Sequence, residues 1–228
     1  MDKNYALALP TANEFNNYVN TTLENNGITK HEWYELNNKY FTKMYLSSDN
    51  PRAQGGHSGD ELHYIYSQLP TIEAIYKNGT FCDIGCATGH LMEMLYKWGN
   101  AIGFDLQMYG LDFSEEMIEV AKKRLPEWHD RFFVGNAFYW NPEHKFNYIL
   151  VCAQVPADDK RKFYKQLLEN YLADGGRMII APYWYDNEDT KEAQIIYEVG
   201  MQPAGYLVKS HYSKPNMFRK VVWFDKNF

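Results

Sequence analysis

Apolar side chains recur at helical spacing through the first part of the chain and give way to short apolar runs in the second part. Residues 11 to 46 predict two helices, which Thr11 and Thr29 are positioned to begin as N-caps. The stretch 47–59, SSDNPRAQGGHSG, is rich in turn-forming residues and predicts a loop. A third helix is expected from about residue 60 to residue 76.

The second part of the chain alternates apolar runs with helical segments, a pattern typical of βα units. One helix is strongly marked by Ser114 as its N-cap, with glutamates in its first turn and basic residues in its last. Gly175-Gly176 predicts a turn. The two final apolar runs are joined by Lys214-Pro215-Asn216, a connection so short that it predicts an antiparallel hairpin. This order indicates an α/β fold with a mostly parallel sheet covered on both faces.

Composition narrows the class of protein. The chain has 228 residues and a formal net charge of −6, without the basic footprint that nucleic acid requires, so no nucleic-acid partner is expected. No apolar run approaches the ~20 residues that span a bilayer. The N-terminal apolar patch is too short for a signal peptide, and three cysteines make a poor disulfide framework. We expect a cytoplasmic protein without a membrane partner, and composition leaves monomer and homodimer open.

The segment 81–91, FCDIGCATGHL, raises the question of a metal site. Cys82 and Cys86 have C-x3-C spacing, but Cys82 lies within a predicted strand and Cys86 in the turn after it. No second Cys/His cluster with zinc-like spacing follows, so we expect no metal. The two cysteines are interpreted as small packing residues.

The small residues of the same segment indicate a ligand. Asp83 precedes a turn that leads from a strand into a helix, and Gly85 allows the chain to bend there. Ala87 and Gly89 leave room for a ligand to approach the backbone and the unpaired N–H groups of the helix. The pattern follows the logic of a dinucleotide-binding turn, although His90 stands where G-x-G-x-x-G has its third glycine.

Two further signals follow the next two predicted strands. Asp112 ends one strand, where an acid can accept hydrogen bonds from both ribose hydroxyls of an adenosine. Gly135-Asn136-Ala137 follows the other, where a polar side chain and backbone groups can bind an adenine edge. Each signal alone is compatible with an ordinary turn or loop. Together with the small-residue turn, at the ends of consecutive strands, they predict an adenosine-containing ligand.

The motif D-x-G-x-A-x-G, the strand-end acid and the GNA loop resemble the class I S-adenosylmethionine-dependent methyltransferases over about residues 54 to 184. The resemblance implies a Rossmann-like, seven-stranded, mostly parallel sheet with a C-terminal antiparallel hairpin. It implies an N-terminal helical lid and loop at residues 1–59 and a methyltransferase core at residues 60–228. It also implies S-adenosylmethionine as the cofactor.

The resemblance assigns cofactor contacts to this sequence residue by residue. Gly85, Ala87 and Gly89 would line the methionine part, after the motif acid Asp83. The remaining contacts are Asp112 to the ribose, Phe113 on the adenine, Asn136 and Ala137 at the adenine edge, and Cys152 and Gln154 beside the sulfonium.

Two positions depart from the family pattern. Ala87 replaces the middle glycine, and Asn136 replaces an acid but can still accept through its amide oxygen. The segments GGHSGDE, DIGCATGHLMEML and WHDRFFVGNAFYWNP further resemble a group of small bacterial methyltransferases.

The acceptor side is less marked. His57 is the candidate catalytic base because its unperturbed pKa is near 6.5, although a turn histidine can equally bond locally or pack on the cofactor. Tyr183, Trp184 and Tyr18 are candidate substrate-binding residues, with ordinary aromatic packing as the alternative. The fourth strand ends in CAQVP rather than Asn-Pro-Pro-Tyr, which disfavours an adenine-N6-type amino methyltransferase.

We therefore predict methyl transfer to a small organic acceptor, with N- or O-methylation favoured. One alternative is a non-catalytic protein that binds S-adenosylmethionine or adenosylhomocysteine. Another is an NAD-dependent oxidoreductase, which the missing third glycine disfavours.

Overall fold

The structure is a computed structural model that describes residues 11–56, 60–152, 154–181, 183–185, 191–210 and 217–226, with the backbone alone at 54–56, 183–185, 191–193 and 217. The chain divides into two compact units, Met1–Glu61 and Leu62–Phe228. The functional division into a lid and a core stays a prediction.

The first unit is helical, with α1 at Ala12–Glu24, α2 at Lys30–Tyr45 and a 3-10 helix at Pro51–Gly56 within the predicted loop. Both predicted N-caps are confirmed. The Thr11 hydroxyl accepts from the Glu14 N–H at 3.3 Å while the Glu14 carboxylate accepts from the Thr11 N–H at 2.8 Å. Thr29 begins α2 with the same reciprocal pair. These capping boxes satisfy backbone donors that have no partner inside the helices.

The second unit contains the sheet. Its strands are β1 Gly79–Ile84, β2 Leu106–Asp112, β3 Phe132–Val134, β4 Phe146–Val151, β5 Leu172–Ile180, β6 Tyr183–Tyr185, β7 Gln202–Ser210 and β8 Met217–Asp225. Its helices are α3 Glu61–Gln68, which begins at the last residue of the first unit, α4 His90–Ala101, α5 Glu115–Arg124, α6 Lys160–Gln166 and α7 Lys191–Glu198. Shorter turns of helix lie at Leu69–Ala74, Pro126–Arg131, Ala157–Asp159 and Leu167–Tyr171.

The strand order is β3-β2-β1-β4-β5-β8, and β7 pairs with β8 as well. The first five strands are parallel, and β8 is antiparallel to β5, β6 and β7. Ile180 of β5 lies opposite Val222, and Tyr183 of β6 lies opposite Arg219. Since this register neither gains nor loses a residue, β6 continues β5. The predicted seven-stranded, mostly parallel sheet with an antiparallel C-terminal hairpin is therefore confirmed.

Two local predictions need correction. The third helix ends at Gln68 and continues as a 3-10 helix, because Pro70 lacks a backbone N–H. Gly175-Gly176 lies inside β5 rather than in a separate turn, where the pairing with β4 shifts register. Gly175 has a φ of 64°, so the turn signal marks an irregularity of the strand. The predicted hairpin turn at 214–216 lies outside the described residues.

Two hydrophobic layers cover the faces of the sheet. On one face, Phe163 and Leu167 from the α6 region and Ile196 of α7 pack on the strands. The opposite face packs against α4, α5 and the 3-10 helix at Leu69–Ala74. Cys82 belongs to the first layer and Cys86 to the second, so the two thiols are buried on different faces. Over the described part of the chain, no group of three or more His, Cys, Asp or Glu is arranged to hold a metal.

Within the same described ranges, no helix is long and apolar enough to cross a membrane.

The turn after β1 packs directly on β2. A Cβ atom added at Gly110 would lie 2.7 Å from Cys86 Sγ and 2.8 Å from Met92 Sδ. We expect Gly110→Ala to lower the free energy of unfolding by about 1–3 kcal/mol, because the turn and α4 must shift to admit the methyl group. Gly135→Ala is the matched control, since its nearest contact would be 3.4 Å. Equal denaturant midpoints for the two variants would contradict this packing.

Candidate functional site

The turn between β1 and α4 has an unusual backbone. Gly85, Ala87 and Gly89 have φ values of 89°, 48° and 75°. The left-handed conformation costs a non-glycine residue about 1 kcal/mol, so the surroundings must hold Ala87 in place. The N–H groups of Gly85 and Cys86 donate to the Leu111 carbonyl at 2.7 and 3.1 Å. The turn is thereby joined to β2 and leads into α4 at Gly89.

The Asp112 carboxylate hydrogen-bonds to Ala87, the residue of the turn with the strained backbone. The Ala87 N–H donates to Asp112 Oδ2 at 2.9 Å, and the Ser114 N–H donates to Oδ1 at 2.9 Å. The Ser114 hydroxyl in turn caps α5 by accepting from the Met117 N–H at 3.3 Å. A carboxylate has about four acceptor positions, so Asp112 keeps part of this capacity for a ligand beside its backbone donors Ala87, Ser114 and Phe113. Burial raises its pKa, and the backbone donors oppose that rise.

Asp83 is a second buried carboxyl close to this turn, near the end of β1. Its side chain is 1% exposed, and Oδ1 has no hydrogen-bond partner among the residues that the structure describes. Burial raises the pKa of Asp83 to about 7; interaction with the Cys152 thiol lowers it, and Asp112 raises it further. A buried carboxyl oxygen without a partner is costly. A cationic ligand group placed there would stabilise the ionised form.

The GNA loop is fixed by its own hydrogen bonds. The Gly135 N–H donates to the Asp112 carbonyl at 2.9 Å, and the hydroxyl of Tyr171 donates to the Ala137 carbonyl at 2.6 Å. Asn136 Oδ1 accepts from the Phe138 N–H at 2.9 Å. The predicted acceptor of an adenine donor therefore already has one partner. Its assignment to the adenine stays a prediction.

Phe113, Cys152 and Gln154 are the exposed members of the predicted cofactor set. Phe113 is 36% exposed, directly after Asp112. Cys152 follows β4, and its N–H donates to the Ile84 carbonyl at 2.8 Å. Burial of the thiol raises its pKa, and the charge of Asp83 raises it further. Gln154 is exposed nearby in the chain.

The structure describes the residues predicted for acceptor binding and catalysis only in part. His57 lies outside the described residues. Tyr183 and Trp184 lie in β6, opposite Arg219 and Phe218, and only their backbone is described. Tyr18 lies in α1, where it packs against the hydrophobic core of the first unit. Their assignments to a base and to substrate binding stay predictions.

An ion-pair network that joins α4, α5 and the turn after β1 was not predicted from the sequence. Arg124 donates to the Thr88 carbonyl at 2.6 Å and to Glu93 at 2.7 Å, and Lys97 also donates to Glu93 at 2.6 Å. Burial raises the pKa of Glu93, but Lys97 and Arg124 lower it by more. Arg124 ends α5 and reaches α4, so only the folded helices bring these residues together. Through the bond from Arg124 to the Thr88 carbonyl, the network stabilises the end of the turn that leads into α4.

The sheet is of the open α/β kind, and its strand order reverses beside β1, which is where open α/β sheets bind their ligands. The model of the methyltransferase domain family matches residues 75–214, more than half of the chain. The chain therefore belongs to the methyltransferase domain family.

Curated relatives carry one activity in their names. A trans-aconitate 2-methyltransferase of Rhodopseudomonas palustris is 27% identical over 162 residues, 70% of this chain and 56% of the relative. A trans-aconitate 2-methyltransferase of Yersinia pseudotuberculosis is 26% identical over 62% of this chain and 58% of the relative. The chain thus spans somewhat over half the length of the curated relatives it matches.

Solved structures share the fold. The 1,6-didemethyltoxoflavin-N1-methyltransferase of Burkholderia thailandensis has a TM-score of 0.67 at 14% identity, covering 88% of this chain and 92% of that one. The N-methyltransferase NodS of Bradyrhizobium japonicum, in complex with S-adenosyl-L-homocysteine, has a TM-score of 0.59 at 17% identity and covers 81% and 96%. At these identities the likeness concerns the fold.

The raised pKa of Asp83 predicts a pH-dependent stability. An unfolded aspartate titrates near 3.9, whereas Asp83 titrates at about 7 in the fold, so its stabilising proton is lost as pH rises through that window. We expect Asp83→Asn to be more stable than the wild type at pH 8 by roughly 1–3 kcal/mol, with the difference vanishing near pH 4.

Denaturant unfolding without ligand at pH 4, 6 and 8 measures this difference. Asp105→Asn, at an exposed aspartate just before β2, is the control. A difference between Asp83→Asn and wild type that does not change with pH would contradict the raised pKa.

Proposed function

We propose that this chain is an S-adenosylmethionine-dependent methyltransferase of a small organic acceptor. The observation that carries the proposal is the buried Asp112 carboxylate, which organises the left-handed turn through the Ala87 N–H and retains acceptor capacity. An acid in this position suits the two ribose hydroxyls of an adenosine. The family membership supports methyl transfer as the reaction.

The residues present fit this cofactor on grounds of chemistry. The unpartnered Asp83 oxygen suits the ammonium of the methionine part, and the partly exposed ring of Phe113 suits an adenine face. The solved structure of NodS, which shares the fold, holds S-adenosyl-L-homocysteine. These features support S-adenosylmethionine over NAD.

A bound S-adenosylmethionine supplies a methyl group on a sulfonium, which a nucleophile can displace in line. Because the sulfonium is already reactive, the main task of the protein is to orient the methyl donor and the acceptor toward each other. Asp112 and the turn 85–89 would hold the methyl donor in a fixed position. A cationic group of the cofactor beside Asp83 would favour the ionised form of its carboxyl. The methyl acceptor would then bind at the carboxyl ends of β4 and β5, which the cofactor contacts of β1 and β2 do not use.

The acceptor class is proposed as a small N- or O-nucleophile. The curated relatives are named for trans-aconitate, a carboxylate, which supports O-methylation. Two of the solved structures with this fold are named as N-methyltransferases. Transfer of the methyl group from labelled S-adenosylmethionine to a panel of small acids and amines tests the proposal. Cofactor binding without turnover on any acceptor would instead favour a non-catalytic binding protein.

Removing the ribose acid tests the cofactor site. We expect Asp112→Ala to weaken binding of S-adenosylhomocysteine by about 10- to 150-fold, or roughly 1.5–3 kcal/mol, because two hydrogen bonds and the support of Ala87 are lost. Asp105→Ala removes the same charge at an exposed aspartate just before β2 and should leave affinity unchanged. Unchanged calorimetric affinity in folded Asp112→Ala would remove Asp112 from the site.

The proposed base gives a different signature. We expect His57→Ala to lower kcat by about 10²-fold or more with little change in cofactor affinity, as loss of a general base does. His31→Ala, at an exposed histidine of α2, is the control. If kcat and cofactor affinity fall together, His57 is a cofactor or structural residue.

A further inference from the structure

The Tyr171 side chain connects the hydrophobic core to the loop after β3. The residue ends the helical turn Leu167–Tyr171, directly before β5, and it is fully buried. Its hydroxyl donates to the Ala137 carbonyl at 2.6 Å and to the Trp140 carbonyl at 2.7 Å. A phenol has one proton to donate, so the two carbonyls share it. Both carbonyls belong to the loop that contains the GNA motif.

The Tyr171 hydroxyl lies in apolar surroundings. Tyr171 and Ala137 both belong to the hydrophobic layer that packs on α6 and α7, and Phe138 and Trp140 pack against that layer. The ring centroids of Trp140 and Tyr171 are 5.4 Å apart. A phenol in such surroundings is costly unless its hydroxyl is hydrogen-bonded. Burial raises the pKa of Tyr171, so the hydroxyl stays protonated and remains a donor to the loop.

The loop itself is closed by local hydrogen bonds. The N–H groups of Tyr139 and Trp140 both donate to the Asn136 carbonyl at 2.9 Å. The Asn136 side chain accepts from the Phe138 N–H at 2.9 Å. These bonds join residues that are at most four apart in the chain. They hold the turn together but do not attach it to the sheet.

The loop is attached to the sheet at its start and in its middle. At its start, the Gly135 N–H donates to the Asp112 carbonyl, at the end of β2. In its middle, Ala137 is attached through the hydroxyl of Tyr171, a residue 34 positions away in the chain. The residue between these two attachments is Asn136. Tyr171 therefore helps to determine where the Asn136–Ala137 segment lies relative to Asp112.

This segment is the part of the site that is predicted to contact the adenine edge. Adenine presents an amino donor at N6 and an acceptor at N1, which suit the Asn136 amide oxygen and the Ala137 N–H. Hypoxanthine presents the reverse pattern, with an acceptor at position 6 and a donor at N1. The loop can distinguish the two bases only while its acceptor and its donor stay aligned with that edge. The Ala137 carbonyl and N–H flank one Cα atom, so a bond to the carbonyl restricts where the N–H points.

We propose that Tyr171 is a positioning residue that gives the cofactor site its preference for adenine. The inference rests on the proposed function and on the assignment of the GNA loop to the adenine. Tyr171 does not touch the base in this proposal. It holds the Ala137 and Trp140 carbonyls, and without its hydroxyl these carbonyls lose a donor and the loop must move to replace it. The loop then keeps its local bonds but loses its alignment with the base.

Calorimetry with S-adenosylhomocysteine and S-inosylhomocysteine measures this preference. The two ligands differ only at the base edge, so the ratio of their affinities reports on that edge and not on the rest of the site. We expect the wild type to bind the adenine compound at least about 100-fold more tightly, because sites built to hydrogen-bond a polar group discriminate strongly. Tyr171→Phe keeps the ring, removes the hydroxyl and should lower this ratio by at least about tenfold.

Tyr148→Phe is the matched control, because it also removes the hydroxyl of a buried tyrosine that binds backbone groups. The Tyr148 hydroxyl accepts from the Lys77 N–H at 2.9 Å and donates to the Lys77 carbonyl at 3.0 Å. Lys77 precedes β1, at the opposite end of the strands from the GNA loop. We expect Tyr148→Phe to lower the melting temperature as Tyr171→Phe does, but to change the affinity ratio by less than about twofold.

Asn136→Ala tests the loop independently of Tyr171. It removes the proposed acceptor for the N6 amino group and should lower the ratio by at least about tenfold. Combined with Tyr171→Phe, it should lower the ratio little further, because the two changes act on the same contact. If Asn136→Ala leaves the ratio unchanged, the loop does not select the base, and the inference fails even where Tyr171→Phe cannot be folded.

The other outcomes separate the inference from the proposed function. An unchanged ratio in folded Tyr171→Phe, or an equal fall in Tyr148→Phe, would overturn the positioning role. Equal affinity of the wild type for the two compounds would reject it as well and leave the proposed function in place. If the wild type binds neither compound, the proposed function itself fails.

Discussion

The hydrogen bond from the Ala87 N–H to Asp112 is the interaction on which the rest of the site depends. It ties a turn with three left-handed residues after β1 to the end of β2, and the second Asp112 oxygen holds the start of α5. One carboxylate thus positions the ends of two strands and the beginnings of two helices. The strand order reverses at the neighbouring strand β1, and open α/β sheets bind their ligands at such a point.

Two buried carboxyls within one site give it a definite electrostatic character. Burial raises the pKa of both Asp83 and Asp112, and the charge of Asp112 raises the pKa of Asp83 further. Hydrogen-bond donors such as hydroxyl and ammonium groups would favour the ionised forms of these two carboxyls.

The fold could be predicted from the sequence because its signals are local. Thr11, Thr29 and Ser114 mark helix starts that the structure contains, since a side-chain cap depends only on neighbouring residues. The glycine turn and Asp112 were predicted for the same reason. The end of α3 was missed because Pro70 limits the helix after a favourable periodic stretch. Gly175-Gly176 was taken for a turn because a bulge inside a strand uses the same residues.

Contacts between distant parts of the chain were less predictable because only the folded chain creates them. Arg219 and Gln68 are 151 residues apart in the chain, and no local pattern relates them. The Arg124–Glu93 pair likewise joins two helices that only the folded sheet brings together. Family resemblance predicted cofactor contacts but carried no information about these residues.

The measurement that tests the central account most directly is calorimetric titration of the wild-type protein with S-adenosylmethionine, S-adenosylhomocysteine and NAD. The account predicts roughly micromolar binding of both sulfur compounds, with one site per chain, and no binding of NAD. Binding of NAD, or of none of the three to folded protein, would contradict the assignment of the turn and Asp112 to S-adenosylmethionine.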